Sequence, residues 1–379
     1  MSRRYDCIVL GVGGFGSAAL YHAAARGLSV LGLEQFSVAH DRGSSHGETR
    51  IIRKAYFEHP DYVPLLLSAY DLWRKLEAEA GRTLMHLCGL LLAGPPEGES
   101  IAGARLASRI HGVPLQSVAA AEAERRFSGF RCPETFAIAY EPEAGYLEVE
   151  RCVRAHVDAA IQRGATLSTD EVVEGWQPVG NMVRVRTSKG AYETAALIVT
   201  AGAWTSRILN ELALPLEVVR KPVFWFPVRS SAYAVDAGAP TFYFEMPFGH
   251  FYGFASIDRK TVKAAEHSGG EPVADPHQVE RAVCQADWEP LARFVGECLP
   301  QLDPTPVRHS VCMYTLTPDR HFIVDRHSEH AQVAFGAGFS GHGFKFTPVI
   351  GEAIVDLATE GHTRQPIGFL SAGREALAK

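Results

Sequence analysis

Residues 6–35 read DCIVLGVGGFGSAALYHAAARGLSVLGLEQ, and this stretch decides the fold class. The run at 6–13 is rich in β-branched residues and predicts a strand. The alanine-rich run at 17–27 predicts a helix, and the run at 28–35 predicts a second strand. A strand, a helix and a strand within about thirty residues form a βαβ unit, which joins parallel strands. The stretch is therefore typical of an α/β fold.

Three glycines stand where the first strand gives way to the helix. Gly11, Gly13 and Gly16 have the spacing Gly-x-Gly-x-x-Gly. The first makes the turn, the second lets a pyrophosphate approach, and the third lets helix and strand pack closely. Glu34 ends the second strand, where a carboxylate can accept hydrogen bonds from a ribose. This context favours a dinucleotide site over a chance arrangement among 35 glycines.

The glycine spacing by itself fits either NAD or FAD. We favour FAD because the motif lies near the N-terminus while the predicted domain closes only near the C-terminus. The longer dinucleotide can span a whole domain of that kind.

Length and composition exclude several classes of protein. A chain of 379 residues is too long for one compact core and suits two domains. A net charge of −6 lacks the basic character that nucleic-acid binding requires, so we expect no nucleic-acid partner. The seven cysteines include no Cys-x-x-Cys pair, which favours reduced thiols. We find no apolar run of about 18 residues and expect a cytoplasmic protein with no membrane partner.

The remaining patterns predict two interleaved domains. The helical pattern of the first unit occurs again at 62–81, 147–165 and 347–361. Its buried-strand pattern occurs again at 193–204 and 331–339. The stretches 84–147 and 221–257 instead have short strands, turns and aromatic alternation, as antiparallel sheets do. We predict an α/β fold in which a discontinuous Rossmann-type domain is joined to an α+β substrate domain on a mixed or antiparallel sheet. The predicted segments are 1–83, 148–218 and 308–379 for the FAD-binding domain, and 84–147 and 219–307 for the substrate domain.

Three further segments carry residues suited to chemistry. GSSHGETRIIRKAY (43–56) is either a loop of functional cations or a solvated basic patch, and composition alone favours the patch. IDRKTVKAAEHSGG (257–270) has Lys263 and His267, which also suit an ordinary strand with exposed polar residues. GFSGHGFKF (338–346) predicts a glycine-rich turn into a helix, whose N-terminus could face a flavin ring and stabilise negative charge there. An ordinary strand-to-helix turn is the alternative.

A cysteine also lies within a β-branched and aromatic run, HSVCMYTLTPD (309–319). By composition, Cys312 is one of seven thiols, and a buried free cysteine is the default interpretation.

Taken together, GVGGFG, SHGETRIIR, HSVCMYT, HFIVD and GFSGHGFKF, in that order, resemble the monomeric sarcosine oxidase family, which includes N-methyltryptophan oxidase. The resemblance covers nearly the whole chain. It implies FAD joined covalently through its 8α-methyl group to Cys312. It also implies oxidation of a secondary N-methyl amino acid by O2, giving formaldehyde, the primary amino acid and hydrogen peroxide. A monomer is the family expectation.

The resemblance also assigns roles to individual residues. It implies that Arg53 and Lys345 bind the substrate carboxylate and that Lys263 assists the reaction with oxygen. It also implies that Arg50 and His46 support flavin attachment. The implied substrate cavity is lined by Tyr56, Tyr252, His267, Tyr314 and His342. The implied cofactor residues are Gly11, Gly13, Gly14, Phe15, Gly16, Glu34, Gln35, Ser44, Arg50, Val173, Ala201, Gly202, Trp204, Cys312, Met313, Phe339, Gly341, His342, Gly343, Phe344 and Lys345.

Some positions depart from the family pattern. Ser44 and Ser45 precede His46 where the family often has two adjacent histidines, and Lys54 replaces a histidine. These departures do not specify the side chain of the substrate. The alternatives to a sarcosine-like substrate are N-methyltryptophan, pipecolate, a D-amino acid and a glycated amino acid. A dehydrogenase that passes electrons to a quinone and an NAD-binding sensor without turnover are the more distant alternatives.

Overall fold

The computed structural model of the chain describes residues 3–377. Residues 1–2 and 378–379, which the predicted FAD-binding domain includes, lie outside the described residues. The helices of the described range are α1 (Gly14–Ala25), α2 (Tyr62–Ala80), α3 (Glu99–His111), α4 (Ala120–Arg126), α5 (Val149–Gln162), α6 (Thr205–Ile208), α7 (Glu289–Cys298) and α8 (Thr347–Glu360). Its strands are β1 (Arg3–Leu10), β2 (Val30–Leu33), β3 (Thr49–Ile52), β4 (Met85–His86), β5 (Leu90–Gly94), β6 (Gln116–Val118), β7 (Ala137–Glu141), β8 (Gly145–Glu148), β9 (Thr166–Ser168), β10 (Val173–Val179), β11 (Met182–Thr187), β12 (Gly190–Val199), β13 (Glu217–Pro227), β14 (Thr241–Met246), β15 (Gly249–Gly253), β16 (Thr261–Glu266), β17 (Glu271–Pro272), β18 (Arg308–Leu316), β19 (Ile323–Arg326) and β20 (Val333–Ala337).

The first sheet has eight strands and is parallel at its centre. Its order is β10, β11, β12, β1, β2, β9, with β20 beside β12 and β19 beside β20. Strand β1 pairs in parallel with β2 and with β12. The predicted βαβ unit is therefore present as β1, α1 and β2. Helix α1 begins at Gly14 rather than at the predicted residue 17, because the last glycines of the motif already belong to the first helical turn.

Helices and loops cover both faces of this sheet. Cys7 and Val9 of β1 belong to the same hydrophobic cluster as α1, α2 and α8. Ile8 and Leu10 belong to a separate cluster on the opposite face, because successive strand residues point to opposite sides. Burial on two faces explains the unbroken apolar run in β1.

The second sheet has nine strands and is mixed, as predicted. Its order is β17, β13, β16, β15, β14, β5, β7, β6, with β18 beside β13. The pair β5 and β14 is parallel, and the other pairs are antiparallel. An aromatic core lies on one face, where the Phe251 ring stacks on Phe294 of α7 with 4.8 Å between ring centroids.

The pairing of strand β18 disagrees with the predicted domain boundary at residue 308. This strand pairs with β13 over its whole length, from Arg308 opposite Trp225 to Leu316 opposite Glu217. Residues 308–316, which were assigned to the FAD-binding domain, therefore belong to the second sheet. The physical reason is a pairing across about ninety residues of sequence, which a local pattern cannot reveal. The division into two domains stays a prediction.

A small sheet of β3, β8 and β4 holds the loop at 43–50. Thr49 of β3 pairs with Glu148 of β8, which runs directly into α5. This pairing brings the turn before β3 against the first turn of α5. Between residues 3 and 377, no helix combines the length and the apolar character needed to cross a bilayer.

Candidate active site

The glycine loop leaves room for a ligand that carries phosphate. Gly11 has a φ of +82°, and a Cβ there would lie 2.7 Å from the carbonyl oxygen of Thr200. A Cβ on Gly16 would lie 1.8 Å from the Gly11 carbonyl oxygen, so only glycine allows this close packing. At Gly13 the nearest atom would be Ser45 Oγ, at 3.7 Å. The middle glycine therefore has only one neighbouring atom, in ordinary contact, at the N-terminus of α1, which leaves room for a pyrophosphate.

The Glu34 carboxylate is fixed at the end of β2. Its Oε2 accepts the N–H of Val12 at 2.8 Å, and its Oε1 accepts the N–H of Phe36 at 3.0 Å. His40 Nε2 lies 3.4 Å from Oε1. Glu34 lines the same cavity as the glycine loop, so a ribose there would meet an oriented acceptor.

One cavity extends from the glycine loop to the aromatic strands of the second sheet. The predicted cofactor residues that line it are Gly11, Gly13, Gly14, Phe15, Glu34, Gln35, Ser44, Arg50, Val173, Ala201, Gly202, Trp204, Met313, Phe339, Gly341, His342, Gly343, Phe344 and Lys345. The other predicted substrate residues that line it are Arg53, Tyr252, His267 and Tyr314. Gly16, His46, Tyr56, Lys263 and Cys312 are not among the lining residues. A continuous cavity with a dinucleotide loop at one end and cations at the other fits FAD together with a small acid.

The turn at 338–346 packs directly against the glycine loop. The rings of Phe15 and Phe339 stack with 3.6 Å between centroids. A Cβ on Gly341, whose φ is +80°, would lie 2.3 Å from the Tyr314 ring. A Cβ on Gly343 would lie 2.7 Å from Cβ of Phe339. These glycines therefore allow the turn to approach the cavity closely before α8 begins.

The Cys312 thiol lies in a cluster of cations. Its Sγ is 3.4 Å from Arg50 Nη2 and 3.9 Å from His46 Nδ1. Burial raises the pKa of this thiol, but the charges of His46, Arg50 and Lys263 lower it more, from 9.0 to about 6. At Cys7, where burial dominates, the pKa rises to about 12. Cys312 is therefore set apart as a thiolate near neutral pH.

Arg50 and Ser44 tie the loop at 43–50 to strand β18. Arg50 Nη1 donates to the Thr49 carbonyl and Nη2 donates to the Ser44 carbonyl, each at 2.8 Å. The Ser44 hydroxyl donates to the Met313 carbonyl at 2.6 Å. Met313 follows Cys312, so these bonds hold the guanidinium in place beside the sulfur.

The Lys263 ammonium is held by three oxygen acceptors. Its Nζ donates to the carbonyl of Gly47 at 2.5 Å, and to the carbonyl and the hydroxyl of Thr49 at 2.8 and 3.3 Å. Its Nζ also lies 4.7 Å from the centroid of the Phe254 ring. Burial and then the Arg50 charge bring the pKa of Lys263 well below its ordinary value. Lys263 is therefore a buried, oriented lysine one layer behind the cavity lining.

Arg53 is paired with a carboxylate that the sequence analysis did not assign. Its Nη2 donates to the two carboxylate oxygens of Glu58 at 2.7 and 2.6 Å. The guanidinium also lies 3.9 Å from the centroid of the Phe57 ring and 4.2 Å from that of Tyr56. Glu58 lines the cavity as well. A ligand carboxylate must therefore share Arg53 with Glu58 or displace it.

Lys345 lies beside this pair and makes no ion pair of its own with a carboxylate among residues 3–377. Its Nζ donates to the His342 carbonyl at 2.7 Å. Burial and the nearby Arg53 charge lower its pKa from 10.5 to about 7. At Glu58, burial raises the pKa, but the charges of Arg53, His342 and Lys345 outweigh this effect. The net result is a pKa of about 2. Two cations thus face one permanent carboxylate, which favours the binding of a second.

The hydrogen bonds of His342 fix its tautomer. Nε2 lies 2.9 Å from the Arg320 carbonyl, which can only accept, so Nε2 carries the hydrogen. Nδ1 then accepts the hydroxyl hydrogen of Tyr56, at 2.5 Å. Burial is the main cause that lowers the pKa of His342 to about 4. His342 is therefore a neutral ring at physiological pH.

The far end of the cavity is aromatic. The hydroxyls of Tyr252 and Tyr314 are 3.5 Å apart, and burial raises the pKa of both. Burial lowers the pKa of His267 to about 3, so this ring is also neutral. Tyr243, which the sequence analysis missed, also lines this end of the cavity. Its hydroxyl lies 3.1 Å from His250 Nδ1.

Other lining residues were also missed. Ser45 Oγ accepts the N–H of Gly14 at 3.1 Å, and Trp204 Nε1 donates to His277 Nε2 at 2.9 Å. Glu58 had one signal, a carboxylate five residues after Arg53 in the same loop. His277 had none, because it comes from a distant segment, in the sequence of the predicted substrate domain.

Comparisons with known proteins identify the family of this chain. The family described as FAD dependent oxidoreductase matches residues 6–357. Monomeric sarcosine oxidase from Streptomyces avermitilis is 39% identical over 100% of both chains. N-methyl-L-tryptophan oxidase from Yersinia pestis is 32% identical over 98% of this chain and 99% of its own. Among solved structures, the amino acid oxidase NikD has a TM-score of 0.86 at 27% identity, covering 98% of each chain.

The family match covers most of the chain, and both curated relatives exceed 30% identity along nearly all of it. The glycine loop and the cavity fit the cofactor that this family name states. The chain therefore belongs to the FAD-dependent oxidoreductase family, alongside the monomeric sarcosine oxidases.

Proposed function

We propose that the chain oxidises a secondary N-methyl amino acid of the sarcosine type. The products are formaldehyde, the primary amino acid and hydrogen peroxide. The observation that carries the proposal is the pair of buried cations, Arg53 and Lys345, in the cavity that also contains the dinucleotide loop. The names of the relatives, sarcosine oxidase and N-methyltryptophan oxidase, support the same substrate class.

The chain supplies the binding site for FAD. Gly13 and the N-terminus of α1 suit the pyrophosphate, and Glu34 suits the ribose. We assign the adenine to the backbone at Val173. When bound, FAD accepts two electrons from the donor and passes them to dioxygen.

We assign the covalent attachment of FAD to Cys312. The support is chemical, because a thiolate is the nucleophilic form of cysteine. The pKa of Cys312 is lowered to about 6 by charges that outweigh the effect of burial. Arg50 and His46 supply the largest of these charges and hold the sulfur in place.

The substrate carboxylate is assigned to Arg53 and Lys345. Arg53 offers a planar fork of donors, and Lys345 offers a compact ammonium. Binding by both fixes the amine relative to the cavity wall, and such orientation can lower the barrier by several kcal/mol. Their two positive charges also disfavour protonation of the amine, which keeps its lone pair free.

The reaction with oxygen is assigned to Lys263. A buried lysine held by three acceptors supplies an oriented N–H donor where negative charge develops. Replacing Lys263 by Met should slow flavin reoxidation far more than flavin reduction. Equal effects on the two half-reactions would contradict this role.

The name of the Streptomyces relative supports a monomer. The seven free cysteines, none of them in a disulfide, support a reducing compartment, which we take to be the cytoplasm.

The test of substrate class is peroxide release across a panel of amines. Sarcosine and other N-methyl amino acids should give peroxide and formaldehyde in equal amounts, while the corresponding primary amino acids should give neither. The panel includes N-methyltryptophan, pipecolate, D-amino acids and glycated amino acids. Peroxide from pipecolate, a D-amino acid or a glycated amino acid, without formaldehyde from any N-methyl substrate, would contradict the proposal.

A further inference from the structure

The turn that holds Lys263 has an unusual backbone. Gly47 has a φ of +88°, and Glu48, which has a side chain, has a φ of +71°. The N–H of Thr49 donates to the Gly47 carbonyl at 2.9 Å, which closes a γ-turn over Glu48. A γ-turn with positive φ is rare and strained, and such strain persists only where surrounding contacts impose it.

The carboxylate of Glu150, in α5, binds the backbone of this turn. Glu150 Oε1 accepts the N–H of Gly47 at 2.6 Å. The N–H of Glu48 reaches both oxygens of Glu150, at 3.2 and 3.1 Å. Two successive backbone donors thus share one acceptor group, and the N–H of Val149 donates back to the Glu48 carbonyl at 2.9 Å.

Lys263 uses the oxygen atoms of the same turn. It takes the carbonyls of Gly47 and Thr49, while Glu150 takes the N–H groups of Gly47 and Glu48. The turn therefore lies between a carboxylate and an ammonium, each bound to its peptide groups. The Glu48 side chain adds a third attachment, since it accepts from Trp225 Nε1 at 3.0 Å.

We propose that Glu150 is a positioning residue, which holds the strained turn at 47–49 so that its carbonyls fix Lys263 for the reaction with oxygen. The inference rests on the proposed role of Lys263. Glu150 acts through the peptide groups of the turn. Nothing in the sequence pattern indicated this, because Glu150 reads as an ordinary acidic residue in the first turn of a helix.

The test uses Glu150→Gln, which removes the charge and one of the two acceptor oxygens. The matched control is Asp158→Asn, which makes the same charge change at an exposed position of the same helix. We expect Glu150→Gln to slow flavin reoxidation by about tenfold and to change anaerobic flavin reduction by about twofold or less. The control should match the wild type in both rates, and Glu150→Asp should recover part of the loss.

A second readout does not depend on turnover. In the cofactor-free protein, the amide hydrogens of Gly47 and Glu48 should exchange faster in Glu150→Gln than in Asp158→Asn. Exchange at wild-type rates in Glu150→Gln would overturn the proposal, because the carboxylate would then not hold the turn.

A double variant separates this inference from the proposed function. In a Lys263→Met background, Glu150→Gln should cause no further slowing of reoxidation. If Lys263→Met is slow and Glu150→Gln alone is not, the positioning role is overturned and the role of Lys263 stands. If Lys263→Met reoxidises at the wild-type rate, Lys263 has no role in the reaction with oxygen. The positioning role of Glu150 in that reaction is then overturned as well.

Discussion

Cys312 and Cys298 are both buried thiols, but their neighbours give them opposite chemistry. Burial raises the pKa of Cys298 to about 12. At Cys312 burial also raises the pKa, yet the charges of His46 and Arg50 lower it more, to about 6. A free cysteine was the default interpretation from composition. What separates Cys312 is a set of cations contributed by a loop about 260 residues away in sequence.

Cys312→Ser should lose the covalent attachment of FAD. Its flavin should be released into the supernatant on acid precipitation, because a hydroxyl lacks the nucleophilic thiolate. Cys298→Ser is the matched control, and its precipitate should stay yellow and fluorescent. Acid-stable flavin in Cys312→Ser would show that the anchor lies elsewhere.

Carboxylate binding should weaken above about pH 7. Burial and Arg53 lower the pKa of Lys345 from 10.5 to about 7, so its charge is present below that pH and lost above it. Glu58, whose pKa is about 2, does not titrate in this range. The dissociation constant of a simple carboxylate that lacks an amine should therefore rise with pH, by up to about tenfold per unit.

The matched variant for this pH dependence is Lys345→Met. It should bind the carboxylate weakly at every pH and show a flat profile between pH 6 and 9. A wild-type dissociation constant that stays constant over this range would remove Lys345 from the carboxylate site.

At the scale of elements, the contact between α1 and α8 depends on small residues. A Cβ on Gly351 of α8 would lie 2.6 Å from Cβ of Ala18 and 2.9 Å from its backbone. The two helices approach so closely because neither has a large side chain at the crossing. The packing of α8 in turn supports the turn at 338–346, which lines the cavity.

Gly351→Ala should lower the free energy of unfolding by about 1–3 kcal/mol, because the added methyl overpacks this contact. Gly296→Ala on α7 is the control, since a Cβ there meets no atom within 4 Å among the described residues. Helix propensity should make Gly296→Ala neutral or more stable, by up to about 1 kcal/mol. Urea unfolding of the two variants measures the difference, and equal midpoints would contradict the packing argument.

Local patterns were sufficient for elements whose signal lies within one stretch. The predicted βαβ unit is observed, and α5 (Val149–Gln162) lies within the predicted helix at 147–165. Patterns were insufficient where the partner is distant in sequence. The pairing of β18 with β13 and the placement of His277 beside Trp204 depend on the folded chain, and no periodicity predicts them.

At the scale of the whole molecule, one cavity takes its lining from both large sheets. Gly11 and Phe15 follow β1 of the first sheet, while Tyr243 and Tyr314 lie in β14 and β18 of the second. A ligand that fills this cavity therefore contacts both sheets at once. Its binding should stabilise the folded chain as a unit.

FAD should raise the melting temperature of the cofactor-free Cys312→Ser protein in a concentration-dependent manner. A ligand that binds only the native state contributes about 4 kcal/mol at a thousandfold excess over its dissociation constant. NAD at the same concentration is the control and should give little shift. Equal shifts with the two dinucleotides would contradict the choice of FAD for this cavity.

The central claim is that this chain removes a methyl group from a secondary amino acid by oxidation at its flavin. The most direct measurement is to mix the FAD-loaded protein with sarcosine without oxygen, follow the flavin absorbance, and then admit oxygen. We predict bleaching of the flavin, followed by recovery of the yellow colour and release of formaldehyde and hydrogen peroxide in equal amounts. A flavin that stays oxidised with sarcosine and with every other N-methyl amino acid tested would contradict the account.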